Sequence, residues 1–167
     1  VVLGHVRARL QAAGVMRDAE LAELPETLRD LHAMWNAKRG ARAFPTRAEF
    51  AVDDVQPWLG RLHLVEILDG DFRFAVFGTI IADLLQREYN GLRLSEIADP
   101  IARTWEAGYR AAADRRAPVF GFHEPNLYSE REIHVSWWRA ILPVGQAGRL
   151  THLLVGIQVV DAKGRYL

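Results

Sequence analysis

The sequence predicts an α+β fold: one curved, antiparallel, five-stranded sheet with helices on one face and an N-terminal helical cap. Three observations point there. Asp69-Gly70 joins two extended runs, RLHLVEIL (61–68) and FRFAVF (72–77), and Asp-Gly between such runs is a strong hairpin signal. At Gly78-Thr79 the apolar period changes from two to helical spacing. Behind a helix opened by Pro100, three β-like runs close the chain.

The elements follow in order. Leu3, Val6, Leu10 and Ala13 recur at helical spacing with Arg7, Arg9 and Gln11 between them, which predicts an amphipathic helix over 1–17, broken near Gly14. Asp18 caps a second short turn, and Pro25 suits the first turn of a longer helix over 26–39. There Leu28, Leu31 and Trp35 form one stripe, Glu26, Arg29, Asp30 and Lys38 the wet side, and Gly40 the stop. This stripe can pack on the domain's own sheet or pair with a second copy of the chain; the two are compatible. Residues 1–40 are therefore expected to be a cap or dimerisation segment, and 41–167 the core domain.

Pro45 and Pro57 break the connector over 41–57, where Asp53-Asp54 starts a helical turn running to Trp58 and Leu59. In the run after the hairpin, Phe72, Phe74 and Val76 face one way and Arg73, Ala75 and Phe77 the other. Thr79 is the expected N-cap of a helix carrying Ile80, Ile81, Leu84 and Leu85 and reaching Glu88; Asn90-Gly91 stops it, and Ser95–Ile97 adds a turn. On the helix from Pro100, Ile101, Trp105, Gly108, Tyr109 and Ala112 share one face, and Pro118 closes it. The three late strands are 119–123, 133–144 and 150–160, the last two joined by a hairpin marked by Pro143, Gly145 and Gly148. In the last strand Leu153, Val155, Ile157 and Val159 form a core face. The opposite set, His152, Leu154, Gly156, Gln158 and Val160, is mixed, and the N-terminal helix is its expected cover.

A chain of 167 residues, half of them apolar, buries roughly 70% of its unfolded surface. Lys+Arg equals Asp+Glu and no basic stripe is present, which argues against nucleic acid as the main partner. With no cysteine there are no disulfides, thiolate metal sites, iron–sulfur clusters or cysteine nucleophiles. No apolar run approaches the roughly 20 residues that cross a bilayer, so no membrane span is expected and the expected location is cytoplasmic. The six histidines form no H-x-x-H or H-E-x-x-H pair, and no G-x-S-x-G, P-loop or G-x-G-x-x-G occurs. Asp53 and Asp54 are adjacent, so on a helix they diverge; they suit a dipole-favoured helix start better than an acid–base pair. No catalytic and no metal-binding residue is assigned.

The order of elements and the residues at their joints resemble the PAS domain. The fragments are LHAMWNAKRG, FPTR, LGRLHLVEIL, DFRFAVFGTII and YNGLRLSEI. They resemble in particular a bacterial PAS family in which a helix ending in Trp and Gly leads into a Pro-Arg connector. The resemblance covers about residues 31–160. It implies a sensory or regulatory module. With the absent catalytic motifs and the amphipathic N-terminal spacing, the expectation is a non-catalytic module that takes a small ligand or a protein partner, signals through its N-terminal helices and forms a homodimer through them. It assigns no cofactor. The flavin and yellow-protein types of PAS domain use a cysteine, absent here. Haem-binding members often take iron from a histidine on the long helix before the third strand. Residues 101–116 contain none, which disfavours haem, although His123 and His134 lie nearby in sequence.

The site expected from this reading is a cavity between the sheet and the helices after Gly78 and Pro100. Its candidate lining is Phe77, Leu84, Leu85, Trp105, Tyr109, Phe120, Phe122, His134, Ser136 and one of the adjacent tryptophans. Trp137 shares a face with Ile133, Val135 and Ile141; Trp138, the one included in the candidate set, shares one with His134, Ser136, Ala140 and Leu142. Tyr109, His134, Ser136 and Arg139 are the polar members able to orient a ligand. The same aromatics can equally fill a solid core. The alternative is a small enzyme on a cone-shaped α+β fold like that of nuclear transport factor 2. Sheet order separates the two, because a PAS sheet places its first and last strands centrally.

Overall fold

A computed structural model describes residues 16–128 and 133–167, with side chains at 16–123 and 135–167. It begins with a short strand, β1 (Met16–Asp18), and a 3-10 turn, followed by helix α1 (Glu26–Arg39). Past a connector of short turns with a four-residue helix, α2 (Val52–Val55), come β2 (Leu62–Ile67) and β3 (Phe72–Val76). Helices α3 (Thr79–Leu85) and α4 (Ile101–Arg115) lead to three long strands, β4 (Val119–Tyr128), β5 (Ile133–Gln146) and β6 (Arg149–Asp161).

The strands form one antiparallel sheet in the order β1-β4-β5-β6-β2-β3. The five expected strands place the last, β6, in the middle with β2 beside it, the PAS arrangement. The sheet has six strands rather than five, because Met16–Asp18 pairs with the outer edge of β4: Met16 opposite His123, Arg17 opposite Phe122, Asp18 opposite Gly121. The helix expected over 1–17 lies outside the described residues as far as 15. Its last two residues are β, not helical, and Asp18 ends a strand instead of capping a turn. An exposed edge is a template for pairing, and three residues suffice to take it.

Local corrections have local causes. Helix α3 starts at Thr79 with Gly78, not Thr79, in the cap position. A Cβ at residue 78 would lie 2.5 Å from the Gly60 carbonyl oxygen, so only glycine passes this corner. The helix stops at Leu85, before Glu88, where Gln86 takes a left-handed conformation (φ 55°). Asn90 serves the corner instead: its Oδ1 accepts the Phe77 N–H at 2.6 Å.

Helices cover both faces. On the inner face, α3, α4 and the turn at Leu94–Glu96 pack on Val65, Phe72, Phe74, Ile141, Leu153, Val155 and Ile157. On the outer face α1 lays Leu28, Leu31 and Trp35 over Ala140, Leu142, Val144 and Leu154. A Cβ at Gly156 would overlap Leu31 Cδ2, so this glycine sets how closely α1 approaches. Trp35 is buried with its polar atom satisfied, Nε1 donating to the Pro143 carbonyl at 2.7 Å. Full burial of each such leucine contributes roughly 1.5–3 kcal/mol.

Candidate functional site

Helical spacing turns Ile101, Ala102, Trp105, Gly108, Tyr109 and Ala112 of α4 toward the sheet. Opposite them, alternation along β5 points Val135, Trp137, Arg139 and Ile141 inward. His123 is level with Trp137, and Gly121 with Arg139. From β2, His63 reaches the same layer and stacks on Phe77 with ring centroids 4.2 Å apart. Between these walls lies a cavity of about 20 Å³, lined by Ile81, Leu84, Leu85, Trp105, Trp137, Ile157 and Val159. That volume accepts about one water.

Leu84, Leu85 and Trp105 of the candidate set line this cavity, and Phe77 and Tyr109 are buried in the same compartment. Phe120, Phe122, Ser136 and Trp138 do not join them; they belong to the outer face. Phe120 meets His32 of α1 edge-to-face at 5.4 Å, and Phe122 and Trp138 pack ring on ring at 4.6 Å beneath the Arg17 guanidinium. The cause is register: Phe122 pairs with Trp138 and Phe120 with Ala140, so the strand parity that turns Trp137 and Arg139 in turns these four out. His134 stands opposite Leu127 in β5; its side chain lies outside the described ones.

The inner layer also encloses Arg139, one of the polar members expected to orient a ligand, together with His63 and His123, which the sequence reading left without a role. Arg139 is 0% exposed. Its guanidinium sits 5.2 Å from the Tyr109 ring centroid, and Nη2 lies 3.8 Å from Met16 Sδ. Among the described residues Nε and Nη1 have no hydrogen-bond partner, and neither has either ring nitrogen of His123, also 0% exposed. His63 is satisfied: its Nδ1 accepts the Gly78 N–H at 2.9 Å, which puts its neutral-form proton on Nε2.

Burial, reinforced by the positive charge of Arg139, pushes the His63 imidazole down to about 3 and that of His123 to about 2. Burial pushes the Tyr109 phenol up to about 12, against the pull of Arg139. Burial also lowers Arg139, which Tyr109 opposes. A guanidinium stays protonated in proteins. Among the described residues the inner layer therefore holds the Arg139 cation beside two neutral imidazoles and a neutral phenol, and a buried charge left without a counter-charge costs several kcal/mol.

Periodicity alone places Arg139 beside Ile141 on the inward parity of β5, and His63 beside Val65 on β2. That signal was available. What it lacked was a reason to bury an arginine, a residue type almost never enclosed unless paired. Among the described residues, no group of three or more His, Asp or Glu side chains is placed to hold a metal ion. None of the helices there is long and apolar enough to cross a membrane.

Neither a curated protein nor a solved structure matches the chain significantly. The PAS domain family matches residues 24–136, from the residue before α1's proline into β5 and more than half of the chain. With that match, a sheet whose central strands are the last and the first of the five expected, and helices α3 and α4 across its inner face, the chain belongs to the PAS domain family.

Proposed function

We propose that this PAS domain senses a small molecule held between α3, α4 and the inner face of the sheet, and reports occupancy through its N-terminal segment. PAS domains are in general sensory and regulatory modules, which sets the class of function. The observation that carries the ligand reading is the cavity itself: apolar walls from α3, α4, β5 and β6, beside enclosed polar groups. Its small volume means that a ligand larger than water displaces a wall. Helix α3 is the wall able to give way, with seven residues and one buried side chain, Ile81.

The output reading rests on Met16. This residue belongs to β1, packs over Gly121 and touches the buried Arg139. Displacement in the inner layer thus reaches the N-terminal strand through one side chain. Pairing of two copies through the N-terminal segment is the remaining part of the proposal, supported by the apolar spacing of Leu3, Val6, Leu10 and Ala13. Light scattering of the full chain and of one lacking residues 1–15 tests it; equal mass per chain length would count against that segment.

Xenon under pressure tests the cavity, since apolar cavities take it up. Methyl resonances of Ile81, Leu84, Leu85, Ile157 and Val159 should shift saturably. Uniform, unsaturable shifts across the protein would remove the ligand reading.

A further inference from the structure

We infer that Arg139 is a recognition group for a small oxyanion, a one- or two-carbon carboxylate or an inorganic anion of similar size and shape, bound in the inner layer beside His123. The inference rests on the ligand reading above and names the chemistry of the ligand.

Four elements pack around the guanidinium, and none supplies a counter-charge among the described residues. From β1 comes the Met16 thioether, from α4 Gly108 and the Tyr109 ring, from β4 Gly121 and His123, and from β5 Trp137 two residues away. His63 of β2 is spent on the Gly78 N–H. A buried cation kept for structure is expected to have a carboxylate partner, because the desolvation it suffers is otherwise unrepaid. Here, among the described residues, Nε and Nη1 are donors left with no acceptor. The missing group is thus an acceptor of negative charge, and a guanidinium matches planar carboxylate geometry better than any other side chain.

Two further features fit a built site. A Cβ at position 108 would lie 2.5 Å from Arg139 Nη2. A glycine inside a helix is unfavourable, and here it admits the guanidinium against α4. His123 adds a second enclosed group with free ring nitrogens, of which the neutral ring offers one donor. The site and the cavity share the inner layer: Arg139 is not itself in the lining, but it pairs with Ile157 in the sheet and follows Trp137 on the same parity, and both of those residues line it. Because the cavity accepts about one water, even an anion of a few heavy atoms displaces a wall, which disfavours any larger one.

The test uses the full chain at pH 7 and constant ionic strength, titrated with formate, acetate and nitrate against chloride and sulfate controls. In the wild type, formate or acetate should move the Arg139 Nε–Hε resonance saturably and raise the unfolding temperature. Arg139→Lys, which keeps the charge and loses the planar fork, should bind about tenfold or more weakly. Arg139→Met should bind nothing while unfolding at a higher temperature than the wild type in anion-free buffer. A wild-type resonance that stays fixed overturns the inference without recourse to variants, as it would if a carboxylate of the chain itself already occupied the donors. Equal temperature shifts in wild type and Arg139→Met overturn it too, because they report bulk salt. Xenon uptake with no response to anions leaves the cavity reading standing and removes this one; the absence of both removes the ligand reading as well.

Discussion

Strand β5 sends alternate side chains into two compartments that are built differently. Toward α1 it presents Ala140, Leu142 and Val144, which meet Leu28, Leu31 and Trp35. The polar atoms there are matched: the Trp35 indole has the Pro143 carbonyl, and Gln158 Oε1 accepts the Thr27 hydroxyl at 3.1 Å. Toward α4 the same strand presents Trp137, Arg139 and Ile141, and there, among the described residues, two guanidinium nitrogens of Arg139 and both ring nitrogens of His123 are sealed in without a hydrogen-bond partner. Both sides bury an apolar cluster, the inner one the larger, so hydrophobicity alone does not explain the difference in their polar groups. Polar accounting does, because buried polar groups are normally paired and the exceptions call for a reason. The outer compartment is a matched core, whereas the inner one encloses groups for which a small anion is the proposed partner.

Acid should break this contrast most strongly. His63 and His123 are held neutral in the folded chain, about 3 and about 2 against 6.5 when unfolded. Below pH 6.5 the unfolded state takes up protons that the native state refuses. The stability these groups allow is complete above that pH and declines as pH falls toward those lowered values. Each histidine adds a slope of about 1.4 kcal/mol per pH unit. Urea unfolding at pH 7, 6 and 5 isolates them from most carboxylates. The loss should be steep and should roughly halve in His123→Phe. An unchanged slope in that variant would mean that His123 titrates normally in the native protein.

Next in size is Trp35→Ala, which removes the largest anchor of the outer compartment and should cost about 3–5 kcal/mol in urea unfolding. If the compartments are independent, xenon shifts at Leu84 and Leu85 survive it under native conditions. Their loss would show that the two faces are one cooperative core. The smallest effect is expected for Gly156→Ala, whose new methyl would collide with Leu31 and approach Leu28 Cδ2 at 3.0 Å. Overpacking of this kind costs about 1–3 kcal/mol. Combining it with Leu31→Ala should restore room, so the double variant should be more stable than the sum of the two singles predicts. Simple additivity would place the strain elsewhere.

Much of the fold was legible because its signals are local. Asp69-Gly70 forms the β2–β3 connection with Gly70 at φ 71°, and the stripe Leu28, Leu31, Trp35 is the buried face of α1. Strand β1 was not legible: three residues give no alternation, and what fixes them is the edge of β4, about a hundred residues away in sequence. The inner and outer faces of β4 and β5 were hard to tell apart for a related reason. Both faces are covered, so apolar residues occupy both parities, and Trp137-Trp138 has no polar contrast to orient it. The register shift between His123 and Asn126 further prevents parity from being carried along β4. Arg139 itself was legible, as an inward-facing candidate for ligand contact; its complete enclosure was not, since nothing local in a sequence says that a cation will be covered from above by a glycine of another element.

The adjacency of Trp137 and Trp138 has an optical consequence. Of the chain's five tryptophans, Trp105 and Trp137 belong to the inner compartment, while Trp35, Trp58 and Trp138 pack on the α1 side. Two indoles one peptide bond apart therefore emit from separate surroundings, one beside the His123 ring at 5.2 Å and the other beside Phe122 and Arg17. The intrinsic emission of this protein is a sum of two spectra. Subtracting the Trp137→Phe or Trp138→Phe signal yields the emission of one inner or one outer indole without any added label.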